Sequence, residues 1–301
     1  MIAEPMTTEA GMDRVSTPAP PTAEESAAAA IRARQRLAWE RIAASVGELR
    51  GAPSTEYYRR CEIALIRRSL GDLAGQRILK LDLWNEAFNT RILHWMAEQG
   101  AETHGLDLSR LVVHRAQRNT RGAGHAARLV RGDIRELPFE TGAFDAVYTM
   151  GTIEHIDEYA AAVGEVRRVL RPGGKAIIGV PHKWNLWLRP ALVWLLDRFG
   201  RYAYAPEKSF SGGELRRTIE DAGLLVRERT GILAIPGIVR MADLFLYKRG
   251  VPLYRLSPLL LRPFERLETR YRWPGYLGYL MAMVAEKPAT IGDAPAGGAW
   301  R

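Results

Sequence analysis

The sequence predicts an α/β fold in which helices cover both faces of a mostly parallel sheet. Short apolar runs alternate along the chain with longer segments whose apolar residues recur at helical spacing. Glycine, alone or next to proline, ends several of these segments, as in RPGG at 171–174. Strands that alternate with helices are typical of parallel sheets with helices packed on both sides.

The ends of the chain differ from its middle in composition. Residues 1–24 contain acids and prolines but no apolar core of a secretory signal, so we interpret them as a disordered tail. Residues 25–76 are rich in Ala, Arg, Glu and Leu and are predicted to form N-terminal helices. Residues 288–301 are interpreted as a second flexible tail. The α/β domain therefore occupies residues 77–287.

Within this domain the predicted elements follow from apolar density and glycine stops. The helix at 86–100 has apolar residues at helical spacing and ends at Gly100, and Ser211 and Glu214 have the spacing of a capping box. The predicted strands are 77–83, 102–109, 126–134, 144–151, 175–181, 224–232 and 276–288. The predicted helices are 86–100, 110–121, 158–170 and 211–223.

Composition limits the class of protein and its partners. A hydrophobic content of 47% with 26% charged residues is ordinary for a globular protein. The formal charge of +9 favours an anionic partner, although an arginine-rich solvated surface explains it equally well. Cys61 is the only cysteine, which excludes an intramolecular disulfide and fits a reducing cytoplasm. Charged residues and a proline interrupt the longest apolar stretch, 184–200, so it is too short to span a bilayer.

Acidic residues stand near the carboxyl ends of the first three predicted strands. Asp82 lies near the end of the first strand and Glu86 just after it, Asp107 near the end of the second, and Asp133 near the end of the third. In doubly wound sheets, ligands bind outside the carboxyl ends of the strands, at the point where the strand order reverses. We therefore expect a binding site at this edge of the sheet.

Two of these acids stand at positions typical of nucleoside recognition. Asp107 lies 23 residues after Trp84, close to the offset at which a carboxylate accepts hydrogen bonds from ribose hydroxyls. Asp133 can accept a hydrogen bond from an adenine amino group, with Ile134 beside it. The alternatives are structural: Asp107 as a helix cap, and Asp133 as a turn aspartate bonded to its own backbone.

The run GDIRELPFETGAFDAVYTMGTIEHIDEYAAAVGEVRRVLRPGGKAIIGVP, at 132–181, resembles the class I S-adenosylmethionine-dependent methyltransferases. Within that family it is similar to the branch of small-molecule and quinone methyltransferases, and the resemblance extends from about residue 77. It implies a doubly wound, Rossmann-like seven-stranded sheet whose last strand is antiparallel, with helical cap insertions. It also implies that S-adenosylmethionine is the cofactor, with Asp107 on its ribose, Asp133 and Ile134 on its adenine, and Met150 and Gly151 near its methionine part.

The loop after the first strand departs from this family. In ILKLDLWNEA, at 78–87, Lys80 stands near the usual acid, and Asp82, Trp84 and Glu86 stand near the usual glycines. One interpretation is a variant loop in which Asp82 or Glu86 pairs with the ammonium or sulfonium of the cofactor. The other is a scaffold that has lost cofactor binding. The ribose and adenine positions remain acceptable, which favours retained binding.

Methyl transfer needs alignment and desolvation, and it needs a base when the acceptor must lose a proton. His155 and His182 both follow predicted strands at the cofactor edge, and either is a candidate for this base. A lone histidine is more often a structural hydrogen-bonding group. We find no set of metal ligands in the sequence.

Two insertions, at about 183–210 and 232–275, exceed what the sheet requires. The second carries eight basic and only three acidic residues among aromatic and aliphatic ones. It is interpreted either as a cap with solvated arginines or as a surface for lipid or an anionic substrate. The sequence thus predicts methyl transfer to a small or lipid-linked acceptor, with O-methylation favoured. We expect a cytoplasmic enzyme, with peripheral contact at the inner, anionic membrane surface as an open alternative and no nucleic acid partner.

Overall fold

A computed structural model describes residues 22–122, 127–200 and 207–289. The predicted tails, 1–24 and 288–301, lie almost entirely outside these residues and stay predictions. The strands are β1 (Arg77–Leu81), β2 (Glu102–Asp107), β3 (Arg128–Arg131), β4 (Phe144–Met150), β5 (Leu170–Pro181), β6 (Leu225–Ile232) and β7 (Leu280–Glu286). The helices are α1 (Ala23–Ser45), α2 (Pro53–Leu70), α3 (Trp84–Phe88), α4 (Ile92–Glu98), α5 (Arg110–Arg121), α6 (Tyr159–Val169), α7 (Arg189–Arg198), α8 (Gly212–Asp221), α9 (Gly237–Lys248) and α10 (Ser257–Arg270).

The strands form one seven-stranded sheet in the order β3-β2-β1-β4-β5-β7-β6. The first five strands are parallel, and β7 runs antiparallel to both β5 and β6. The strand order reverses between β1 and β4, where Ile78 pairs with Ala146. The predicted doubly wound fold with an antiparallel last strand is therefore confirmed.

Two apolar cores cover the two faces of the sheet. Successive residues of β1 point to opposite faces, so Ile78 packs in the core beneath α2, α4 and α5, and Leu79 in the core beneath α6 and α8. Residues 78–81 are all buried, as expected for a strand with helices on both sides. The sheet edge at the reversal point is thus held rigidly from both faces.

Several predicted elements differ from the structure, and the strand predicted at 276–288 is limited to Leu280–Glu286. The helix predicted at 86–100 is divided into α3 and α4, because Arg91 between them has a φ of 53° that no α-helix accommodates. The strand predicted at 175–181 begins earlier, at Leu170. The reason is pairing on both sides: Leu170 pairs with Phe144 of β4, Gly173 N donates to Lys287 O at 2.8 Å, and Lys287 N donates to Gly174 O at 2.9 Å.

The segments outside the minimal sheet form helices on one side of the site. Segment 183–210 contains α7, and segment 232–275 contains α9, α10 and a short 3-10 helix at Pro252–Leu256. Glu268 of α10 is buried and accepts hydrogen bonds from Leu233 N (2.8 Å), Ala234 N (2.6 Å) and the hydroxyl of Tyr57. This carboxylate ties α10 to the end of β6 and to α2.

Across the described residues, no helix combines the length and hydrophobicity needed to cross a membrane.

Candidate active site

A cavity of about 400 Å³ opens at the carboxyl ends of the strands, where the strand order reverses. This is the place at which doubly wound sheets bind ligands, and the volume is in the range of small-molecule sites. Seven of the nine predicted site residues line it: Asp82, Asp107, Asp133, Ile134, Met150, Gly151 and His155.

The loop after β1 replaces glycine flexibility with an ion pair. Asp82 has a φ of 73°, a left-handed conformation that L-residues rarely adopt. The Nζ of Lys80 lies 2.7 Å from Asp82 O and 3.4 Å from Asp82 Oδ1, and the other carboxylate oxygen accepts a hydrogen bond from Thr152 Oγ1 at 3.0 Å. Lys80 therefore holds the strained residue in place and directs its carboxylate to the cavity.

Lys80 itself is fully buried and surrounded by acids. Burial alone would lower its pKa, but the negative charges of Asp82, Glu86 and Glu62 outweigh this effect, and its pKa is raised. Glu62 in turn accepts hydrogen bonds from Tyr148 Oη (2.7 Å) and Thr90 Oγ1 (2.6 Å). Burial raises the pKa of Glu62 to about 7. The lysine thus remains charged inside the protein and compensates a cluster of buried carboxyls.

Asp107 at the end of β2 orders both flanking loops. Its Oδ2 accepts a hydrogen bond from Leu83 N and its Oδ1 one from Ser109 N, each at 2.8 Å. Burial raises its pKa to about 7, helped by the negative charge of Asp82, whereas these two backbone bonds and Lys80 act in the opposite direction. Each carboxylate oxygen keeps a further lone pair for a donor in the cavity.

Asp133 after β3 is held by its neighbour Arg135. The guanidinium of Arg135 donates to both carboxylate oxygens, at 2.8 and 2.6 Å, and its backbone N–H donates to Oδ1 at 3.0 Å. Although partial burial acts to raise the pKa of Asp133, these bonds bring it below the ordinary value. Its carboxylate is therefore ionised and fixed at the cavity wall, as the turn interpretation expects, and its adenine contact stays a prediction.

The N-terminal helix α1 lies over the cavity. The ring centroid of Trp39 is 4.9 Å from that of His155 and 6.1 Å from that of Trp84. The next residue, Glu40, accepts hydrogen bonds from Arg110 N (2.6 Å) and Leu111 N (3.2 Å) at the start of α5. α1 thereby stabilises the α5 N-terminus and covers the site with aromatic rings.

The other side of the cavity is formed by α7 and α9. Its apolar lining consists of Trp187, Leu192, Val193, Met241 and Leu244. Arg240 also lines it, with its Cζ 4.8 Å from the centroid of the Tyr58 ring. The Nη1 of Arg240 is buried and has no hydrogen-bond partner among the described residues. The cavity thus pairs a carboxylate-lined sheet edge with a mostly apolar wall that contains Arg240, Asn185 and Glu207.

Two predicted site residues do not line this cavity. Glu86 is buried, accepts a hydrogen bond from Leu93 N at 3.0 Å and lies 3.9 Å from Lys80 Nζ. His182 is buried with its Nε2 3.3 Å from Arg229 Nη2, and its pKa is lowered by burial and by that arginine. Both side chains point toward these partners and away from the cavity. Of the two histidines, only His155 therefore remains a candidate for the base.

Several residues that line the site were not predicted from the sequence. Trp39, Tyr58, Asn85 and Asn89 line the cavity from the N-terminal helices and from α3, and Arg240 lines it from the cap. None belongs to a recognisable motif, and their positions depend on how distant helices dock on the sheet.

The described residues contain no group of three or more His, Cys, Asp or Glu side chains that could hold a metal ion.

Comparisons with known proteins agree with this geometry. Residues 88–178 match the family model described as a methyltransferase domain. The demethylmenaquinone methyltransferase of Thermus thermophilus is 31% identical over 179 residues, which cover 54% of this chain and 81% of the relative. A phthiotriol/phenolphthiotriol dimycocerosates methyltransferase of Mycobacterium ulcerans is 35% identical, over 34% of this chain and 36% of its own.

Two solved structures share the fold. The [4+2]-cyclase SpnF superposes with a TM-score of 0.56 at 17% identity, covering 92% of this chain and 100% of its own. Phosphoethanolamine N-methyltransferase 2 of Haemonchus contortus, in complex with phosphomonomethylethanolamine and S-adenosylhomocysteine, has a TM-score of 0.53 at 19% identity, over 75% of this chain and 52% of its own.

The chain belongs to the class I S-adenosylmethionine-dependent methyltransferases, in the quinone methyltransferase-like branch. It is an enzyme, and its cofactor is S-adenosylmethionine. The interpretation as a scaffold without cofactor binding is set aside.

Proposed function

We propose that this enzyme transfers a methyl group from S-adenosylmethionine to an oxygen of an apolar or lipid-linked small molecule. The proposal rests on the observation that the two sides of the cavity differ in chemical character. Its sheet side presents the carboxylates of Asp82 and Asp107, and its cap side presents mostly apolar side chains together with Arg240, Asn185 and Glu207. The first half suits a cationic nucleoside cofactor, and the second suits an apolar acceptor that bears an ionised oxygen.

The residues of the sheet side fit the cofactor part by part. Asp107 has lone pairs for ribose hydroxyls, and Ile134 offers an apolar surface to adenine beside Asp133. Asp82, held by Lys80, would face the ammonium or the sulfonium. Gly151, with a φ of 81°, gives the methionine part close access to backbone next to Met150.

The bound cofactor supplies an activated methyl group on a positively charged sulfur. That methyl group would pass to the acceptor oxygen, and S-adenosylhomocysteine would be the second product. His155 takes the hydroxyl proton, while Arg240 stabilises the developing negative charge on the acceptor oxygen. Trp39, Trp84 and the apolar wall exclude water, which strengthens these charge interactions.

The acceptor class is supported by the relatives and by the cap. The demethylmenaquinone and phthiotriol relatives are named for apolar substrates, and an O-methyltransferase of Aspergillus sclerotiorum is 29% identical over 45% of this chain and 53% of its own. The cap wall, with Trp187, Leu192 and Met241, offers the same kind of surface. These features favour a phenol, enol or quinol with an alkyl or isoprenoid chain.

We expect the purified protein to bind S-adenosylhomocysteine and to methylate alkylphenols and alkylquinols with an efficiency that rises with chain length. The reason is burial of the chain against the cap wall, worth about 0.8 kcal/mol per methylene. Titration calorimetry and transfer of a labelled methyl group measure both properties. Absence of S-adenosylhomocysteine binding by the folded protein contradicts the proposal as a whole. Transfer only to amines contradicts O-methylation, and rates independent of chain length contradict the apolar acceptor.

His155→Gln is expected to lower kcat by about 100-fold or more, because the acceptor then loses its base. The affinity for S-adenosylhomocysteine should change little. The matched control is His182→Gln, since that ring is buried and lies outside the cavity lining. Steady-state kinetics over a range of pH measure the effect, and the loss should be smallest at high pH, where a phenol ionises by itself. Equal kcat losses in both variants would remove His155 from this role.

A further inference from the structure

In the part of the chain that the structure describes, the exposed large hydrophobic side chains are concentrated in the segments outside the minimal sheet. Of the 21 large hydrophobic side chains exposed among the described residues, 19 lie between 184 and 276, and only Ile31 and Leu37 lie elsewhere. Trp194 is 67% exposed, Phe199 70% and Phe245 53%. Soluble chains rarely expose apolar area in such a concentrated form unless it contacts a partner.

These side chains lie on or next to the helices outside the minimal sheet. We call the exposed side of α7, α9, the 3-10 helix at 252–256 and α10 the cap surface. α7 and α9 both border the cavity, which Leu192 and Met241 line. α9 packs on the 3-10 helix, where the rings of Tyr247 and Tyr254 have centroids 5.2 Å apart, and that helix packs on α10. The cap surface is therefore continuous with the mouth of the acceptor site.

The exposed charges of segment 232–275 are almost all positive. Asp243 and Glu268 are buried, and Glu265 is bonded to Arg60 of α2 at 2.5 Å. The basic side chains remain outside, next to the exposed apolar ones. The exposed basic residues are Lys248, Arg249, Arg255, Arg262, Arg266, Arg270 and Arg272. Folding thus removes the acids that balance this segment in the sequence. Among these basic residues, only Arg272 has an ion pair within the described part of the chain, with Glu228 of β6 at 3.4 Å.

We propose that the cap surface docks on the surface of an anionic lipid bilayer, with its aromatic and aliphatic side chains inserted between headgroups and its arginines on the phosphates. The inference rests on the proposed function, because docking would place the mouth of the acceptor site against the membrane from which a lipid-linked acceptor enters. Basic residues interleaved with Trp, Tyr, Phe and Leu are the composition of interfacial helices.

A second copy of the chain is a poorer occupant of the same surface. In a two-fold symmetric dimer this face would meet itself, so its seven exposed basic residues would lie opposite equal charges. No exposed acid of segment 232–275 is free to pair with them, since Glu265 is engaged by Arg60. An anionic bilayer offers the complementary charge.

The experiment is cosedimentation of the full chain with vesicles of phosphatidylcholine alone and with one third phosphatidylglycerol. The cap variant replaces Arg249, Arg255, Arg262 and Arg266 with Gln. A matched control replaces four exposed arginines outside the cap with Gln and so changes the net charge equally: Arg128, Arg171, Arg217 and Arg227. A third variant combines Trp194→Ser with Phe245→Ser. Each variant is titrated with S-adenosylhomocysteine in solution, which reports cofactor binding independently of lipid.

We expect the intact chain and the control to bind the anionic vesicles and to be released as salt rises, because charge interactions there are screened over about 8 Å at physiological ionic strength. The cap variant should bind at least 100-fold more weakly, since each lost arginine weakens binding roughly fivefold. The Trp194→Ser, Phe245→Ser variant should lose binding as well, with S-adenosylhomocysteine affinity retained in all chains.

Three results would overturn the inference. One is absence of vesicle binding by the intact chain at low salt. Another is equal binding by the cap and control variants. The third is a dimer that forms without lipid and dissociates in the Trp194→Ser, Phe245→Ser variant. Loss of S-adenosylhomocysteine binding with vesicle binding retained would instead contradict the proposed function alone.

Discussion

Lys80→Met is expected to lower the free energy of unfolding by about 3–5 kcal/mol, the usual cost of removing one partner from a buried ion pair. The lysine is fully buried, and its Nζ is the positive charge beside Asp82 and Glu86, with Glu62 also interacting. Methionine fills a similar volume but leaves these carboxyls uncompensated. Urea denaturation followed by circular dichroism measures the loss, which should shrink as pH falls, because protonated carboxyls tolerate burial.

The same substitution should weaken S-adenosylhomocysteine binding, because Asp82 would lose the contact that holds its positive φ. Arg227→Met is the matched control: Arg227 pairs with Glu286 at 2.9 Å on the surface, and an exposed pair is worth about 1 kcal/mol or less. A Lys80→Met protein as stable as the Arg227→Met protein would show that Lys80 does not compensate the buried acids. Unchanged affinity in a folded Lys80→Met protein would show that the loop does not depend on it.

The contact between Lys80 and Asp82 explains why ILKLDLWNEA needs no glycines. A glycine-rich loop reaches left-handed conformations without strain, whereas here Asp82 adopts one and its carbonyl and carboxylate are both bound by Lys80. Trp84 does not close the site. It begins α3, and its ring lies 4.6 Å from that of Phe88 and 6.1 Å from that of Trp39, so it forms part of the wall.

The fold could be predicted from sequence because its signals are local. Alternating apolar runs located all seven strands, and acids after β1, β2 and β3 located the edge of the site. The antiparallel direction of β7 was predicted only from the family resemblance, because the spacing of apolar residues does not indicate the direction of a strand. The break at Arg91 was missed because its positive φ is imposed by packing between α3 and α4.

The sequence predicted where the site lies better than it predicted which side chains line the cavity. Spacing places Glu86 and His182 near the cavity edge, but it does not say which way a side chain turns. Glu86 turns inward because Lys80 and Leu93 N satisfy its carboxylate, and His182 because Arg229 lies beside it. Trp39 and Arg240 come from helices far along the chain, and their docking depends on tertiary packing that no short motif records.

Asp107→Ala is expected to weaken S-adenosylhomocysteine binding by about 10- to 150-fold, or roughly 1.5–3 kcal/mol, the scale of hydrogen bonds to a charged acceptor. The variant removes the carboxylate that lines the cavity at the end of β2. Glu86→Gln is the matched control, because it changes a buried carboxyl that lies outside the cavity lining. Its affinity should stay within about twofold of the parent, since it loses no hydrogen bond to the ligand. Titration calorimetry measures both, and equal affinities for the parent and a folded Asp107→Ala protein would contradict the ribose contact.

The pKa of Asp107 adds a dependence on pH whose sign is fixed. Burial raises this pKa to about 7 in the free protein, whereas ribose hydroxyls donate to the ionised carboxylate and so lower it in the complex. Binding therefore releases a proton below pH 7, and affinity should increase with pH between about 5 and 7 and then level off. The free energy of unfolding depends on pH in the opposite direction. The contribution of Asp107 to it is fully present below the pKa of the unfolded state, near 4, and is lost as the pH rises through about 7.

Glu62, whose pKa is also raised to about 7, contributes to unfolding in the same direction, so the pH dependence of stability does not isolate Asp107. The pH dependence of ligand binding does isolate Asp107, because Asp107 lines the cavity and Glu62 does not. Lys80 and Asp82 are the charges that act on Asp107, and both stay in place in the Asp107→Asn protein. Calorimetry in buffers of different ionisation enthalpy counts the released proton directly. We expect nearly one at pH 6 for the parent and none for Asp107→Asn, and an equal count in the two proteins would assign the proton to another group.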